Sequence, residues 1–384
     1  MDRSFLSWPF FDARHRALAE DIETWSRQYL GEIDYENVDA TCQNLVKALG
    51  DAGWLDHSSI DPEDPYSKLD VRSLCLIRET LARHDGLADF AFAMQGLGTG
   101  AISLFGTPAQ KTYWLEKTRT GRALSAFALT EPQSGSDVAN ISLKAEKESD
   151  GYVLNGEKTW ISNGGIADVY CLFARTGEAP GAKGISAFIV TPDMPGFEIV
   201  ERLETISPHP LARISFKDCH VPASAMIGES GSGFRIAMSV LDVFRPTVAA
   251  AALGFARRAL DESINRAKSR ELFGAPLGSL QMVQGHLADM ALDVDASALL
   301  IYRAAWCKDM GTERISREAS MAKLFATDHA QHVIDKAVQI HGGDGVRKGH
   351  IVERLYREIR ALRIYEGASD VQKVVIAKHL IENY

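Results

Sequence analysis

Hydrophobic positions change their period twice along the 384-residue chain. Up to about residue 120 they recur at helical spacing. Ala17, Ile22, Trp25 and Tyr29 fall on one helix face, which Gly31 ends. Leu45 and Leu49 repeat the arrangement before Gly53, and Leu74, Ile77, Thr80 and Leu81 carry it through residues 71–84. From about 122 to 228 the apolar runs are short and the turns frequent. Tyr152 to Leu154 leads into Asn155-Gly156, a pair that suits a two-residue hairpin because both residues tolerate positive φ. Thr159 to Ile161 then reads as the returning strand. Asn163-Gly164-Gly165 predicts the next turn, and strands follow at 169–174, 185–190 and 214–216. Such strands suit a compact antiparallel barrel or sandwich. From about 232 the helical period returns in long segments, at 234–269, 280–310 and 315–340, with shorter ones at 351–363 and 370–383. Pro246, inside the first, predicts a kink or a break. Long helices with short joins suit an antiparallel bundle.

This order predicts a mainly α fold with a central β-barrel in three domains: an N-terminal helical domain at 1–121, a small antiparallel β-barrel at 122–230 and a C-terminal helical bundle at 231–384. A doubly wound α/β enzyme would alternate strands and helices throughout. Gly96-Leu97-Gly98-Thr99-Gly100 lacks the spacing of a dinucleotide-binding loop, so close helix packing is its expected use.

Composition narrows the classes. Hydrophobic residues at 46% and charged residues at 24% fit a folded globular protein. A formal net charge of −9 argues against nucleic acid as a partner, while leaving room for an anionic small molecule in a local basic pocket. Cys42, Cys75, Cys171, Cys219 and Cys307 are dispersed and form no Cys-x-x-Cys pair, so neither a disulfide framework nor a zinc site is expected. No uninterrupted apolar run reaches the ~18–20 residues of a membrane span, and residues 1–10 do not read as a signal peptide. A bacterial cytoplasm is the expected compartment, or the mitochondrial matrix for a processed eukaryotic protein.

Several segments could carry chemistry. Leu129 to Asp137 packs hydroxyls, a proline and a glycine into one polar loop, which is either a surface turn or a cradle for a phosphate or heteroaromatic ring. Trp160 and Ser162 end a strand, where they could stack on and hydrogen-bond a flat cofactor or simply join the core. Arg270, followed by Phe273-Gly274 and Gln281, sits in a helix–helix corner, suited to a pyrophosphate or to a helix C-terminus. Gln339-Ile340-His341-Gly342-Gly343 closes a long helix with glycines that cap it and leave backbone open to a ligand. In Ile364 to Gln372, Ser369 and Gln372 have capping-box spacing, which starts a helix at Asp370 and leaves Glu366-Gly367 in a tight connection. A carboxylate there is either solvated or aimed into a cavity, where burial would raise its pKa and strengthen it as a base.

Together, Thr130-Glu131-Pro132 with Gly135-Ser136-Asp137, Asn155-Gly156-Glu157-Lys158 with Trp160 to Gly164, Arg270 with Phe273-Gly274 and Gln281, Gln339-Ile340 with Gly342-Gly343, and Ile364 to Gly367 resemble the acyl-CoA dehydrogenase family, in order and over nearly the whole chain. The resemblance implies a helical domain, a β-barrel and a four-helix bundle, FAD held between barrel and bundle, and a homotetramer. It implies that Phe127, Leu129, Thr130 and Ser136 line the flavin and thioester site and that Trp160, Ile161 and Ser162 contact the flavin. It further implies that Arg270, Phe273, Gln281, Gln339, Ile340, Gly342 and Gly343 reach the FAD of a neighbouring subunit. Gly367, Ser369 and Asp370 would lie against the cofactor of the same subunit, with Ser136, Asp242 and Arg245 near the bound acyl-CoA.

The activity so implied is oxidation of an acyl-CoA thioester to the α,β-enoyl-CoA. Glu366 takes the α-proton, a hydride passes to FAD, and electrons go on to an electron-transferring flavoprotein. The thioester carbonyl would be held by the FAD ribityl hydroxyl and the Glu366 N–H. Some subfamilies place the base beside Arg245, where this chain has Phe244, which cannot serve. Ala368 replaces a usual hydroxyl residue, Phe127 a frequent tyrosine, and Ser207 to Ala212 lacks the family's Gly-x-Arg-x-Ser pattern; His209 there reads as a structural turn residue. An oxygen-using oxidase and a non-catalytic flavin-binding homologue are the alternatives.

Overall fold

The computed structural model describes residues 2–31, 33–64 and 66–383. It divides into two compact units. The first comprises Met1–Glu32, Asp70–Asp89 and Asp242–Tyr384. It contains α1 (Ala13–Tyr29), α3 (Val71–His84), the greater part of α6 (Gly233–Ser269), α7 (Gln281–Asp309), α8 (Ser316–His341), α9 (Ile351–Leu362) and α10 (Ser369–Asn383). The second comprises Ile33–Leu69 and Phe90–Leu241, with α2 (Val38–Asp51), most of α4 (Gly86–Phe105), α5 (Pro108–Arg119) and the sheet.

In the first unit, α8 packs against α7, α9 and α10 and buries Ala319, Ala322, Ala326, Ala330 and Ala337. Helix α3 is buried nearly all round despite its charges, because each buried charge has a partner. Arg72 pairs with Asp309 at 2.7 Å, Arg78 with Asp89 at 2.8 Å and Arg257 with Glu79 at 2.6 Å. Helix α1 is turned from the expected face. Ala17 is exposed, and Trp25 and Tyr29 stack on each other with centroids 5.0 Å apart, Tyr29 being 51% exposed. Its core side carries Ile22 and Ala19 with His15, Glu23 and Ser26, and His15 bonds Asp70 at 3.0 Å. A hydrophobicity pattern does not register polar residues buried on their partners.

Helix α6 runs through Pro246 without a break, with Val243 to Arg245 and Thr247 to Ala252 buried around it. It is long and apolar enough to cross a bilayer, but 89% of its apolar window is buried within the protein, as befits a core helix.

The second unit is built on an eight-stranded sheet. Its strands are β1 (Ser125–Ala128), β2 (Lys144–Lys147), β3 (Gly151–Ser162), β4 (Val169–Arg175), β5 (Ile185–Val190), β6 (Phe197–Arg202), β7 (Leu211–Pro222) and β8 (Met226–Ile227). They run in the order β6-β7-β3-β2-β4-β5-β8, with β1 paired to β4. The pairings are antiparallel except β1–β4 and β2–β4, which are parallel; the long connections from β1 and β2 to β4 supply the necessary crossovers. Leu154, Tyr170, Leu172, Phe188, Ile214 and Phe216 form its core.

The hairpin expected at Asn155-Gly156 is absent. Residues 151–162 form one strand, and Asn155-Gly156 makes a bulge in its pairing with β7. Gly156 takes φ +142 so that the chain can pass Leu143, whose Cα would lie 2.9 Å from an added Cβ, and Asn155 Oδ1 accepts from Asp218 N instead of closing a turn. The turn at Asn163-Gly164-Gly165 forms, with Asn163 at φ +59. Gly98 packs tightly, since a Cβ there would meet Ser125 Oγ at 2.5 Å.

Candidate active site

Glu366 lies in the connection between α9 and α10 with φ +51, and Gly367 follows at φ +93. Two successive left-handed residues reverse the chain sharply, and for a non-glycine residue that conformation is costly and has to be held by its surroundings. Three side chains hold it here. Arg245 Nε donates to the Glu366 carbonyl at 3.3 Å, Gln372 Nε2 to the Gly367 carbonyl at 2.9 Å, and Lys323 Nζ to the same Gly367 oxygen at 2.7 Å. The expected capping box does not form, because Gln372 is spent on this turn and Ser369 Oγ donates to Asp328 at 2.8 Å. Helix α10 begins at Ser369, and Asp370 is exposed.

The turn sends the Glu366 side chain inward. Its Oε2 is closed off from solvent and has no hydrogen-bond partner. Burial pushes the carboxyl up to about 7; Arg78, Lys323 and Arg245 pull it back and Asp89 adds to the rise. All of these groups belong to the first unit. Such a carboxyl is ionisable near neutrality and free to receive a proton.

Asp242 is engaged by the protein itself. It accepts from Arg314 Nε at 3.2 Å and Ser316 Oγ at 3.0 Å, and lies 4.0 Å from Arg245. Phe244 is 2% exposed, inside the core.

Farther along the same unit, a cavity of about 360 Å³ gathers Arg270, Gln339, Ile340, Gly342 and Gly343. It adds Arg266 and His286, which the sequence reading passed over. Arg266 lies in the last turn of α6, four residues before Arg270 just beyond it, a spacing that could have revealed it. Gln281 is exposed at the start of α7, and Phe273 is 93% exposed at φ +54, on the turn between Glu271–Leu272 and Ala275–Pro276; neither borders the cavity. Elsewhere in this unit Asp293, His329 and His332 bring possible ligand atoms within 4.8 Å of one another, a grouping the sequence did not suggest.

The second unit presents the other expected residues. Leu129 is buried, Thr130 and Phe127 are half-buried, and Phe127 packs on Phe173 with centroids 5.0 Å apart. Ser136 is exposed in the polar loop. Trp160 is 56% exposed at φ +58, where the β3–β7 register slips, between buried Thr159 and Ile161, with Ser162 half-buried. A pair that sequence reasoning missed fixes this arrangement. Lys158, fully buried, donates to Glu131 Oε1 at 2.8 Å and to the Leu129 carbonyl at 3.0 Å. Glu131 also accepts from Ser142 N at 2.6 Å and Leu143 N at 2.9 Å, and Thr159 N donates to the Thr130 carbonyl at 3.0 Å. A lysine beside apolar strand positions, with a glutamate in the preceding loop, was the available signal. His209, in the segment that departs from the family pattern, packs edge-on against Phe90 at 4.5 Å.

The residues present fit a large, flat, anionic cofactor. In the first unit two guanidinium-bearing residues line the cavity, Cβ atoms at Gly342 and Gly343 would meet nothing within 4 Å, and Phe273 exposes its ring outside the cavity; in the second unit, taken by itself, Trp160 exposes its ring on strained backbone.

The three domains described for acyl-CoA dehydrogenases match this sequence: the N-terminal domain at residues 12–122, the middle domain at 126–219 and the C-terminal domain at 231–381. The human mitochondrial short-chain specific acyl-CoA dehydrogenase is 39% identical over 379 residues, 96% of this chain and 90% of that protein. Butyryl-CoA dehydrogenase from Megasphaera elsdenii superposes with a TM-score of 0.88 at 33% identity, covering 97% of this chain and 99% of that one. A chain in a structure of the electron transferring flavoprotein of Acidaminococcus fermentans superposes with a TM-score of 0.90 at 34% identity over the whole of both chains. The chain belongs to the acyl-CoA dehydrogenase family, FAD-dependent oxidoreductases acting on CH–CH bonds.

Proposed function

We propose that this chain oxidises an acyl-CoA thioester to the α,β-enoyl-CoA with Glu366 as the base. The observation that carries this reading is the Glu366 carboxyl: its Oε2 is buried without a partner, and it is pushed up to about 7 on a turn held by three side chains. Oε2 takes the α-proton, and the surrounding cations keep the carboxylate accessible at neutral pH. FAD supplies the acceptor for the electron pair that leaves the β-carbon. Leu129, Thr130, Phe127, Trp160, Ile161 and Ser162 hold the flavin ring, with Lys158 and Glu131 fixing the loop between them. Arg270, Gln339, Ile340, Gly342 and Gly343, joined by Arg266, would hold the cofactor's anionic part, and the resemblance assigns Phe273 and Gln281, which stand outside this cavity, to the same cofactor. The resemblance assigns this group to the FAD of a neighbouring subunit, in a homotetramer. Gly367, Ser369 and Asp370 border the cofactor of their own subunit. Ser136 and Arg245 lie along the thioester, and Asp242 acts by fixing Arg245.

The division into 1–121, 122–230 and 231–384 is retained as the functional organisation, with an electron-transferring flavoprotein as the electron acceptor and a bacterial cytoplasm or mitochondrial matrix as the compartment. Anaerobic mixing of the holoenzyme with straight, branched, cyclic and aromatic acyl-CoAs tests the reading. Loss of flavin absorbance with one class is expected; no loss with any thioester, with FAD bound, would sink it.

A further inference from the structure

We propose that Lys323 is a positioning residue for the base: its ammonium clamps the Glu366-Gly367 turn and places positive charge beside the residue that carries the carboxylate. This rests on the reading of Glu366 as the base. Lys323 lies on α8 and is fully buried. Its Nζ donates to the Gly367 carbonyl at 2.7 Å. That oxygen already accepts from the neutral amide of Gln372 at 2.9 Å. A neutral second donor would hold the turn as well, and a buried ammonium is an expensive way to provide one. What Lys323 adds is charge.

The charges around the turn are otherwise committed. From α3, Arg78 is held bidentately by Asp89 of α4, both bonds at 2.8 Å, and its third nitrogen reaches Thr247 at 3.0 Å. From α6, Arg245 lies 4.0 Å from Asp242 and donates to the Glu366 backbone. On α8 itself, Asp328 takes Arg363, just past the end of α9, and Ser369, each at 2.8 Å. Among the described residues, Lys323 forms no ion pair, and Glu366 is a nearby carboxyl without one. Each responds to the other. Burial lowers Lys323 to about 8, and Glu366 is the first influence opposing that fall, while Lys323 stands second to Arg78 among the cations that lower Glu366. The ammonium thus does two things at once: it fixes the backbone that aims the carboxyl, and it opposes the effect of burial on it.

The test is the pH dependence of anaerobic flavin reduction by a reactive acyl-CoA in holoenzyme variants. Lys323→Met removes donor and charge. Lys323→Gln keeps a donor for Gly367 without the charge, and Lys323→Arg keeps the charge. Removing the cation raises the carboxyl's pKa, so the ascending limb moves to higher pH, by about one unit in Lys323→Met and Lys323→Gln, with a roughly fivefold lower rate at the original midpoint. Lys323→Arg restores the midpoint. A purely structural residue would alter FAD content or Tm and leave the midpoint in place. An unmoved midpoint in Lys323→Gln with full FAD overturns the proposal, as does failure of Lys323→Gln to fold while a donor is retained. Glu366→Gln separates the two readings: if it still bleaches with the same ascending limb, the base assignment fails, whatever Lys323 does.

Discussion

Replacing Lys158 by methionine strikes the pair that fixes the flavin-side loop. The methionine fills much of the lysine's volume and removes its ammonium. Glu131 then keeps its bonds from Ser142 and Leu143 but loses the cation at 2.8 Å, at a site where the residue is only 2% exposed. Breaking a buried pair in this way costs about 3–5 kcal/mol, because it leaves a charge in the interior without its counter-charge. The Leu129 carbonyl, whose bond from Lys158 is 3.0 Å, loses a donor worth about 1 kcal/mol more. Most of the loss is the unpaired charge rather than missing packing, so a second change should return part of it. Lys158→Met/Glu131→Gln removes the charge but keeps an oxygen for only one of the Ser142 and Leu143 amides, which reach different carboxylate oxygens, and is expected to be about 1 kcal/mol more stable than Lys158→Met alone. Urea unfolding of the apo-proteins measures this, and visible absorbance of the purified proteins measures flavin content. Flavin content is expected to fall in both variants, because the loop has lost its tie to β3. A double variant no more stable than the single one would refute the reasoning.

Other consequences follow from the same geometry. The carboxyl of Glu366 is raised to about 7, so the rate of flavin reduction should climb roughly tenfold from pH 6 to pH 8 and be lost as pH falls through 7; a flat profile over this range speaks against the base. The same rise makes the ionised carboxylate a burden on the fold that grows as pH passes from 4.5 through about 7. Urea unfolding at pH 8 should therefore find Glu366→Gln more stable than wild type, by at most about 3 kcal/mol, and no difference at pH 4. Trp160→Gly, at φ +58 and 56% exposed, should weaken FAD binding in a fluorescence titration while leaving apo-protein stability unchanged or higher, since glycine adopts that φ without strain. Arg266→Ala, at the cavity with Arg270, should lower FAD affinity without moving the pH midpoint.

Period-based reading located the long elements well. Helix α3 spans the expected residues, and α7, α8 and α9 fall within one or two residues of expectation, because a continuous helical repeat survives local exceptions. It failed where a tertiary partner decides. Asn155-Gly156 has hairpin chemistry, but pairing with β7 on both sides and the approach of Leu143 turn it into a bulge. Ser369 and Gln372 have capping chemistry, but Asp328, distant in sequence, captures Ser369, and the sharply turned Gly367 carbonyl captures Gln372. Pro246 predicts a kink or a break, and the break does not occur: the buried helix around it continues. The site shows the same division. Glu366 was legible from its short connection and from family likeness. Lys323, Arg78 and Asp89, which set its electrostatics, come from other helices and leave no local signature. Lys158 and Glu131 were in view within the resemblance segments, but their pairing exists only once β3 passes beneath the loop.

Removal of the α-proton by Glu366 is the central claim, and exchange of that hydrogen with solvent reports it without requiring turnover. The FAD-loaded wild type and Glu366→Gln would be incubated anaerobically with an acyl-CoA in deuterium oxide at pH 8, and deuterium at the α-carbon read by mass spectrometry. The account predicts exchange with wild type and at least about a hundredfold slower exchange with Glu366→Gln, whose amide cannot accept the proton. Equal exchange by the two proteins, both carrying FAD, would contradict it.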